Sequence, residues 1–169
     1  MSENMGTQDF EEIYERYKTM LYRIAFTYLK NNADVEDVLQ EVFLKRFYQA
    51  PEFANEEHEN HWMIRITVNL CKNTLKSFWK KNVDGLEELP GWQDMLVGHR
   101  NDRKKEVLEE VMRLPAKQRI SVYLHYYEGY SCKEIANILA CKESAVKMRL
   151  KKGRDLLKIS LEEEGLVCN

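Results

Sequence analysis

Ser131-Cys132-Lys133-Glu134-Ile135-Ala136-Asn137-Ile138-Leu139-Ala140-Cys141-Lys142-Glu143-Ser144-Ala145-Val146-Lys147-Met148-Arg149-Leu150-Lys151-Lys152-Gly153-Arg154 reads as two helices joined by a tight turn. Ser131 and Glu134 stand three residues apart and fit a capping box that opens the first helix. Ile135, Ala136, Ile138 and Leu139 form its apolar side, and the turn falls at Ala140 to Lys142. The second helix runs from Glu143 to about Leu161 and is far more basic. Between Lys142 and Lys158 it holds seven basic residues against Glu143 and Asp155, a local charge of +5. At about 100° per residue, Val146, Leu150, Gly153 and Leu157 share one stripe. Lys147, Lys151, Arg154 and Lys158 share another, about a quarter-turn away, and Met148 and Lys152 widen the polar side. One face can pack while the other meets phosphates and base edges. A basic helix alone would read as a solvated surface. A capped helix and short turn before it make the layout a helix-turn-helix, whose second helix enters the DNA major groove.

Composition sets the frame around this motif. The chain has 169 residues, 44% hydrophobic and 32% charged, with a net charge of −2. That is enough apolar material for real cores, and disorder is excluded. Free-standing DNA binders are usually basic, so the whole chain does not read as one. Seven glycines, three prolines and no long alternating apolar run predict an all-α fold. No stretch is apolar enough to span a membrane. Met1 to Asp9 is polar without an apolar signal core, so a cytoplasmic location is expected. Cys71, Cys132, Cys141 and Cys168 form no CxxC pair. Reduced thiols are expected, with no metal and no cofactor.

Towards the N-terminus, Phe10, Ile13, Tyr14, Tyr17, Leu21, Ile24 and Tyr28 recur at helical spacing and predict a helix over about 9–30. Asn31-Asn32 breaks it, with Asn32 the expected cap of the next helix. Val35, Val38, Leu39, Val42, Phe43 and Phe47 carry that helix to about Gln49, where Ala50-Pro51 ends it. Residues 51–60 read as an acidic polar loop and a third helix as 61–81. The three can bury one core. Residues 82–102 hold Gly85, Pro90, Gly91 and Gly98 with no period, and read as a flexible linker. Val107, Leu108, Val111 and Leu114 restart a helix near Arg103. Pro115 is expected at the first position of the next, with Ile120, Tyr123, Leu124 and Tyr127 buried and Gly129 its terminator. The expectation is two small helical domains, 1–81 and 103–169, the second a helix-turn-helix.

The chain resembles a known family. Leu114-Pro115, Arg119, Glu134-Ile135-Ala136, Ala145-Val146-Lys147-Met148-Arg149-Leu150 and Arg154 are similar to the C-terminal DNA-binding domain of bacterial sigma factors, specifically the extracytoplasmic-function group. Ala33-Asp34-Val35-Glu36-Asp37-Val38-Leu39-Gln40-Glu41-Val42-Phe43 resembles that family's polymerase-binding helix. Trp62-Met63-Ile64-Arg65-Ile66-Thr67-Val68-Asn69 resembles its promoter-opening helix. The likeness covers about residues 9–161.

The resemblance implies a protein that binds core RNA polymerase, directs it to a promoter and opens the DNA. It implies that Asp37, Gln40 and Glu41 contact a coiled-coil helix pair of the polymerase's largest subunit. These three share one helical face, with Asp34 and Glu36 adding negative charge. It implies that Asn69 reads a base of the minus-10 element, with Lys72, Asn73 and Lys76 on phosphates. Trp62 to Lys81 holds five basic residues and no acid, with Trp62, Phe78 and Trp79 interleaved, as single-strand binding requires. Trp62 itself reads as core. Lys147, Met148, Lys151 and Lys152 fall where the family reads the minus-35 element, and Arg149 and Arg154 match its basic signature as phosphate or intradomain contacts. The linker, with Glu87, Glu88 and Asp94, would thread the polymerase towards its active-site channel, and an anti-sigma factor is an implied partner. Some positions depart from the pattern. Lysine replaces the more selective arginine fork, and Met148 stands where a small polar residue is common. Cys141 sits at an expected cap, and Gly153 costs about 1 kcal/mol in mid-helix relative to alanine.

Two other readings compete. A stand-alone helix-turn-helix regulator leaves the N-terminal motifs unexplained. An enzyme built on His58-Glu59-Asn60-His61 lacks HExxH spacing, and both histidines are expected on the polar loop.

Overall fold

The apolar run from Phe10 to Tyr28 lies on α1, Ser2–Leu29, longer at its start than the spacing predicts. The computed structural model describes residues 2–81 and 102–163, with side chains described for 9–77 and 106–159. Every described element is helical, and contacts divide the chain into two units, Met1–Glu87 and Glu88–Asn169. Residues 82–101 of the predicted linker, including Glu87, Glu88 and Asp94, lie outside the described residues, as do Cys168 and the side chains of Phe78, Trp79, Lys80 and Lys81, whereas its last residue, Asp102, is already helical.

In the first unit α1 ends at Lys30, whose positive φ of 57° turns the chain out of the helix. Asn31, rather than Asn32, caps α2 (Asn32–Gln49): its Oδ1 accepts from the Asp34 N–H at 2.9 Å. The side chain of Asn32 instead accepts from the Tyr22 hydroxyl, tying α1 to the start of α2. The third helix, α3, is Glu56–Lys81 and begins five residues before the expected start. Asn55 accounts for this. Its carbonyl and side chain receive the N–H groups of Glu59 and His58, and Glu56, Glu57 and Glu59 then suit the positive end of the helix. Residues 56–60, read from sequence as loop, are helical, and the loop shrinks to 51–55.

These three helices pack against one another around Tyr17, Leu21, Ile24, Phe26, Val35, Val42, Met63, Ile64, Val68 and Cys71. Each large apolar side chain so buried contributes roughly 1.5–3 kcal/mol. Thr27 and Thr67, also buried, satisfy their hydroxyls on the carbonyls of Ile24 and Met63. Phe10 and Tyr14, predicted for the buried face, remain part-exposed and cluster with Phe43 and Phe47.

In the second unit α4 is Asp102–Arg113 and α5 is Ala116–Val122. Pro115 sits one place earlier than predicted, as the cap of α5, because its ψ of 148° is extended while its carbonyl accepts the Arg119 N–H at 2.8 Å. Arg119 is buried and donates to the carbonyls of Met112 and Leu114, both at 3.1 Å. It thereby satisfies the open C-terminal end of α4. A π-helical turn, Tyr123–Tyr127, continues α5, and Gly129 with φ 76° leaves it. Then come α6 (Cys132–Leu139) and α7 (Glu143–Glu163). The capping box is present in both directions, Glu134 N–H to Ser131 Oγ and Ser131 N–H to Glu134 Oε1. Ala140, with φ 53°, makes the tight turn between the two helices.

Candidate functional site

On α2 the buried residues Val35, Val38, Leu39, Val42 and Phe43 define one side. Asp37, Gln40 and Glu41 are all exposed on the side opposite. Helical geometry puts Leu44 and Tyr48 on that same stripe, about 100° wide. Both are apolar and exposed, Leu44 at 52% and Tyr48 at 83%. The acidic patch therefore runs directly into an apolar one. The family resemblance does not single out these two residues, although their spacing from Asp37 and their place off the buried stripe mark them in the sequence. Asp34 is held by Asn31 Nδ2 at 2.7 Å and belongs to the helix start.

On α3, Asn69, Lys72, Asn73 and Lys76 are exposed and fall within one stripe opposite Met63, Thr67 and Cys71. Arg65 joins them on the same face. Trp62 is half-buried rather than core. Helical spacing puts it on this polar stripe, and its ring packs edge-on against Phe53 at 5.6 Å. Phe53 also meets the His58 ring at 5.4 Å and the Arg46 guanidinium at 5.1 Å. Arg46 in turn donates to Glu59 Oε1 at 2.9 Å, an ion pair that joins α2 to α3. His58 and His61 thus stand on a helix, not on a loop. The His58 Nδ1 accepts from the Ala54 N–H at 3.1 Å, and Glu59 is buried against Arg46. No sequence signal links Arg46 with Glu59, thirteen residues away, because the pairing depends on how α2 and α3 cross.

On α7, Val146, Leu150 and Gly153 are buried and Leu157 half-buried. Lys147, Lys151, Arg154 and Lys158 are exposed as predicted, and Met148 (73% exposed) and Lys152 extend that surface. Arg149 stands apart on the flank, half-buried, with its guanidinium donating to Cys141 Sγ at 3.6 Å. Cys141 is not the helix cap. Lys142 occupies that position, its carbonyl accepting the Val146 N–H at 3.2 Å. Glu143 lies at the positive helix end and pairs with Lys147 at 3.4 Å. Arg154 donates to the Tyr126 hydroxyl at 3.0 Å.

Burial pushes the Cys71 thiol up to about 12, and burial together with the nearby Glu59 carboxylate does the same to the Tyr17 phenol. Neither ionises near neutrality. Cys132 and Cys141 are half-buried free thiols. Among the described residues no helix is long and apolar enough to cross a membrane.

Comparison with known proteins follows the same division. Residues 13–81 match the family model for sigma-70 region 2, and residues 104–157 match that for sigma-70 region 4. The chain is 26% identical to the ECF RNA polymerase sigma factor SigW of Bacillus subtilis, over 94% of this chain and 92% of that protein. It is 29% identical to the RNA polymerase sigma factor SigV of the same organism, over 89% of each. Among solved structures, the sigma factor RpoE of Bartonella quintana, in complex with the anti-sigma factor NepR, shares its fold. That match has a TM-score of 0.67 at 19% identity, covering 92% of this chain and 98% of that one. CnrH, in complex with the cytosolic domain of CnrY, gives a TM-score of 0.62 at 20% identity, covering 93% and 90%. With both region matches in order along it, and full-length likeness to several members, the chain belongs to the sigma-70 family of RNA polymerase sigma factors, in its extracytoplasmic-function group.

Proposed function

We propose that three exposed faces divide the work of this sigma factor. As a family member the chain binds core RNA polymerase and directs promoter recognition and opening. Residues 1–81 serve as the region 2 domain, 103–169 as the region 4 domain, and 82–102 as the segment joining them. Asp37, Gln40 and Glu41 bind the helix pair of the polymerase's largest subunit. Leu44 and Tyr48 extend that contact with the apolar area that carries most binding energy in such interfaces, while the acids steer the approach of a basic partner. The observation that carries this reading is the location of all five on one exposed stripe of α2, opposite its buried side.

Asn69 reads a base of the opened minus-10 element, and Lys72, Asn73 and Lys76 follow the backbone. An amide can pair with a base edge, and lysines track phosphates without reading sequence. Lys147, Met148, Lys151 and Lys152 face the minus-35 duplex with Arg154 on a phosphate, whereas Arg149 holds the turn through Cys141. The role is non-enzymatic and its place is the cytoplasm, where the template lies. By analogy with the RpoE–NepR pair, an anti-sigma factor is the expected regulator.

Reversing charge at Asp37→Lys with Glu41→Lys tests the first face. Core polymerase binding should fall sharply while the helical fold survives, and unchanged binding would overturn the assignment. Lys147→Ala with Lys151→Ala should cut promoter use while core binding stays intact. Loss of core binding in that variant instead would contradict the division of labour.

A further inference from the structure

The contact between Arg154 and Tyr126 brings together two elements that the functional reading treats separately. Arg154 belongs to the lysine stripe of α7, with Lys147 and Lys151. Tyr126 belongs to the π-helical turn Tyr123–Tyr127 and is 53% exposed, open to a ligand from solvent. The turn is built on wide backbone bonds, with the Glu128 N–H reaching the Tyr123 carbonyl at 3.3 Å. Such turns are rare within helices and concentrate at functional sites.

Tyr126 is held in place. His125 packs edge-on against its ring at 4.8 Å, with an interplanar angle of 81°. His125 is itself fixed, its Nδ1 lying 2.8 Å from the Tyr130 carbonyl oxygen. An imidazole nitrogen facing a carbonyl must carry the proton, so Nδ1 is the donor. The Arg154 guanidinium then donates to the Tyr126 hydroxyl oxygen at 3.0 Å. A hydroxyl that accepts from arginine keeps its own hydrogen to donate, and the arginine fork has further N–H groups. An oxyanion beside the pair can receive one bond from each.

We propose that Tyr126 and Arg154 form a two-donor clamp for one DNA backbone phosphate at the edge of the minus-35 duplex. The proposal rests on the reading of α7 as the minus-35 face and adds a residue from outside the helix-turn-helix. Phosphate contacts of this kind set the register of a recognition helix rather than its base preference. The clamp therefore fixes how far along the groove Lys147 and Lys151 sit. Its chemistry is that of any phosphodiester, and the lysine stripe beside it selects duplex DNA as the source.

The test uses the full chain assembled with core RNA polymerase. The probe is a fluorescein-labelled duplex that the native assembly selects from a random-sequence pool. Tyr126→Phe removes only the hydroxyl. It should weaken duplex binding about tenfold, the order expected for a hydrogen bond to a charged group, with no change in salt dependence. Arg154→Gln should weaken binding and reduce the log–log salt slope by roughly 0.9, the value for one phosphate neutralised. In the double variant the loss should stay close to that of Arg154→Gln alone, because the hydroxyl acts through the arginine that orients it. Binding of the Tyr126→Phe assembly within twofold of native overturns the clamp, whether or not the melting temperature moves. So does additive loss in the double variant. If Lys147→Ala with Lys151→Ala also leaves binding unchanged, the minus-35 reading itself fails. If those lysines matter and Tyr126→Phe does not, only the clamp fails.

Discussion

Gly153 faces Val122 so closely that a Cβ built on the glycine would lie 2.7 Å from Val122 Cγ2. That distance is far inside van der Waals contact, and the neighbour is a stiff β-branched side chain on a helix. The glycine that looks costly by propensity lets α7 approach α5. Gly153→Ala should therefore destabilise the second unit by about 1 kcal/mol, overpacking outweighing the gain in helix propensity. Combined with Val122→Ala, the loss should be smaller than the sum of the two single losses. Thermal melting of the four proteins checks this. A higher melting temperature for Gly153→Ala alone would show that the two helices are not so close.

In the Arg46–Glu59 pair Glu59 is buried and Arg46 half-buried, and their 2.9 Å contact bridges α2 and α3. Removing Glu59 strands a half-buried Arg46, so Glu59→Ala should cost about 1–2 kcal/mol, between the values for exposed and fully buried pairs. Replacing both, Arg46→Met with Glu59→Leu, should recover most of that. Denaturant unfolding measures each, and equal losses in the single and double variants would show that packing, not charge, sets the cost.

The two parts of the α2 face should separate kinetically. Asp37→Lys with Glu41→Lys should slow association with core polymerase and reduce its salt dependence. Leu44→Ala with Tyr48→Ala should leave association nearly unchanged and speed dissociation about tenfold or more. Surface-immobilised polymerase resolves both rates. If the apolar pair alters neither, the contact ends at Glu41.

Alkaline pH should weaken the first unit. The Cys71 thiol and the Tyr17 phenol, with ordinary values of 9.0 and 10.0, are both pushed to about 12 in the fold. Each is neutral when protonated, so above pH 9 the unfolded chain releases protons that the folded chain retains. Stability is complete below pH 9 and falls between 9 and 12. Melting against pH should show this decline, and Cys71→Ala should flatten its early part. A flat profile in the native chain from pH 9 to 11 would contradict the burial of these groups.

Periodicity and cap chemistry made most of the fold readable from sequence. The α7 stripe, the Ser131–Glu134 box and the buried side of α6 follow from local spacing and agree with the structure. Where sequence pattern and structure differ, the deciding interaction lies off the apolar pattern. Asn55 starts α3 from a polar segment with no apolar period, and Asn31 takes the cap because Asn32 is drawn to Tyr22. The π-helical turn leaves no mark in spacing, so Tyr126 could be recognised only through its partner on α7. The stripes of α2, α3 and α7 were visible because solvent-facing positions are the complement of the buried ones. The depth of Trp62 was not, because it depends on Phe53 arriving from the loop.

As the promoter-directing subunit of a bacterial RNA polymerase, the purified chain should co-elute with core polymerase from a sizing column as an equimolar complex, and the Asp37→Lys, Glu41→Lys variant should not. Separate elution of a folded native chain, free of any bound inhibitor, would show that it is not such a subunit.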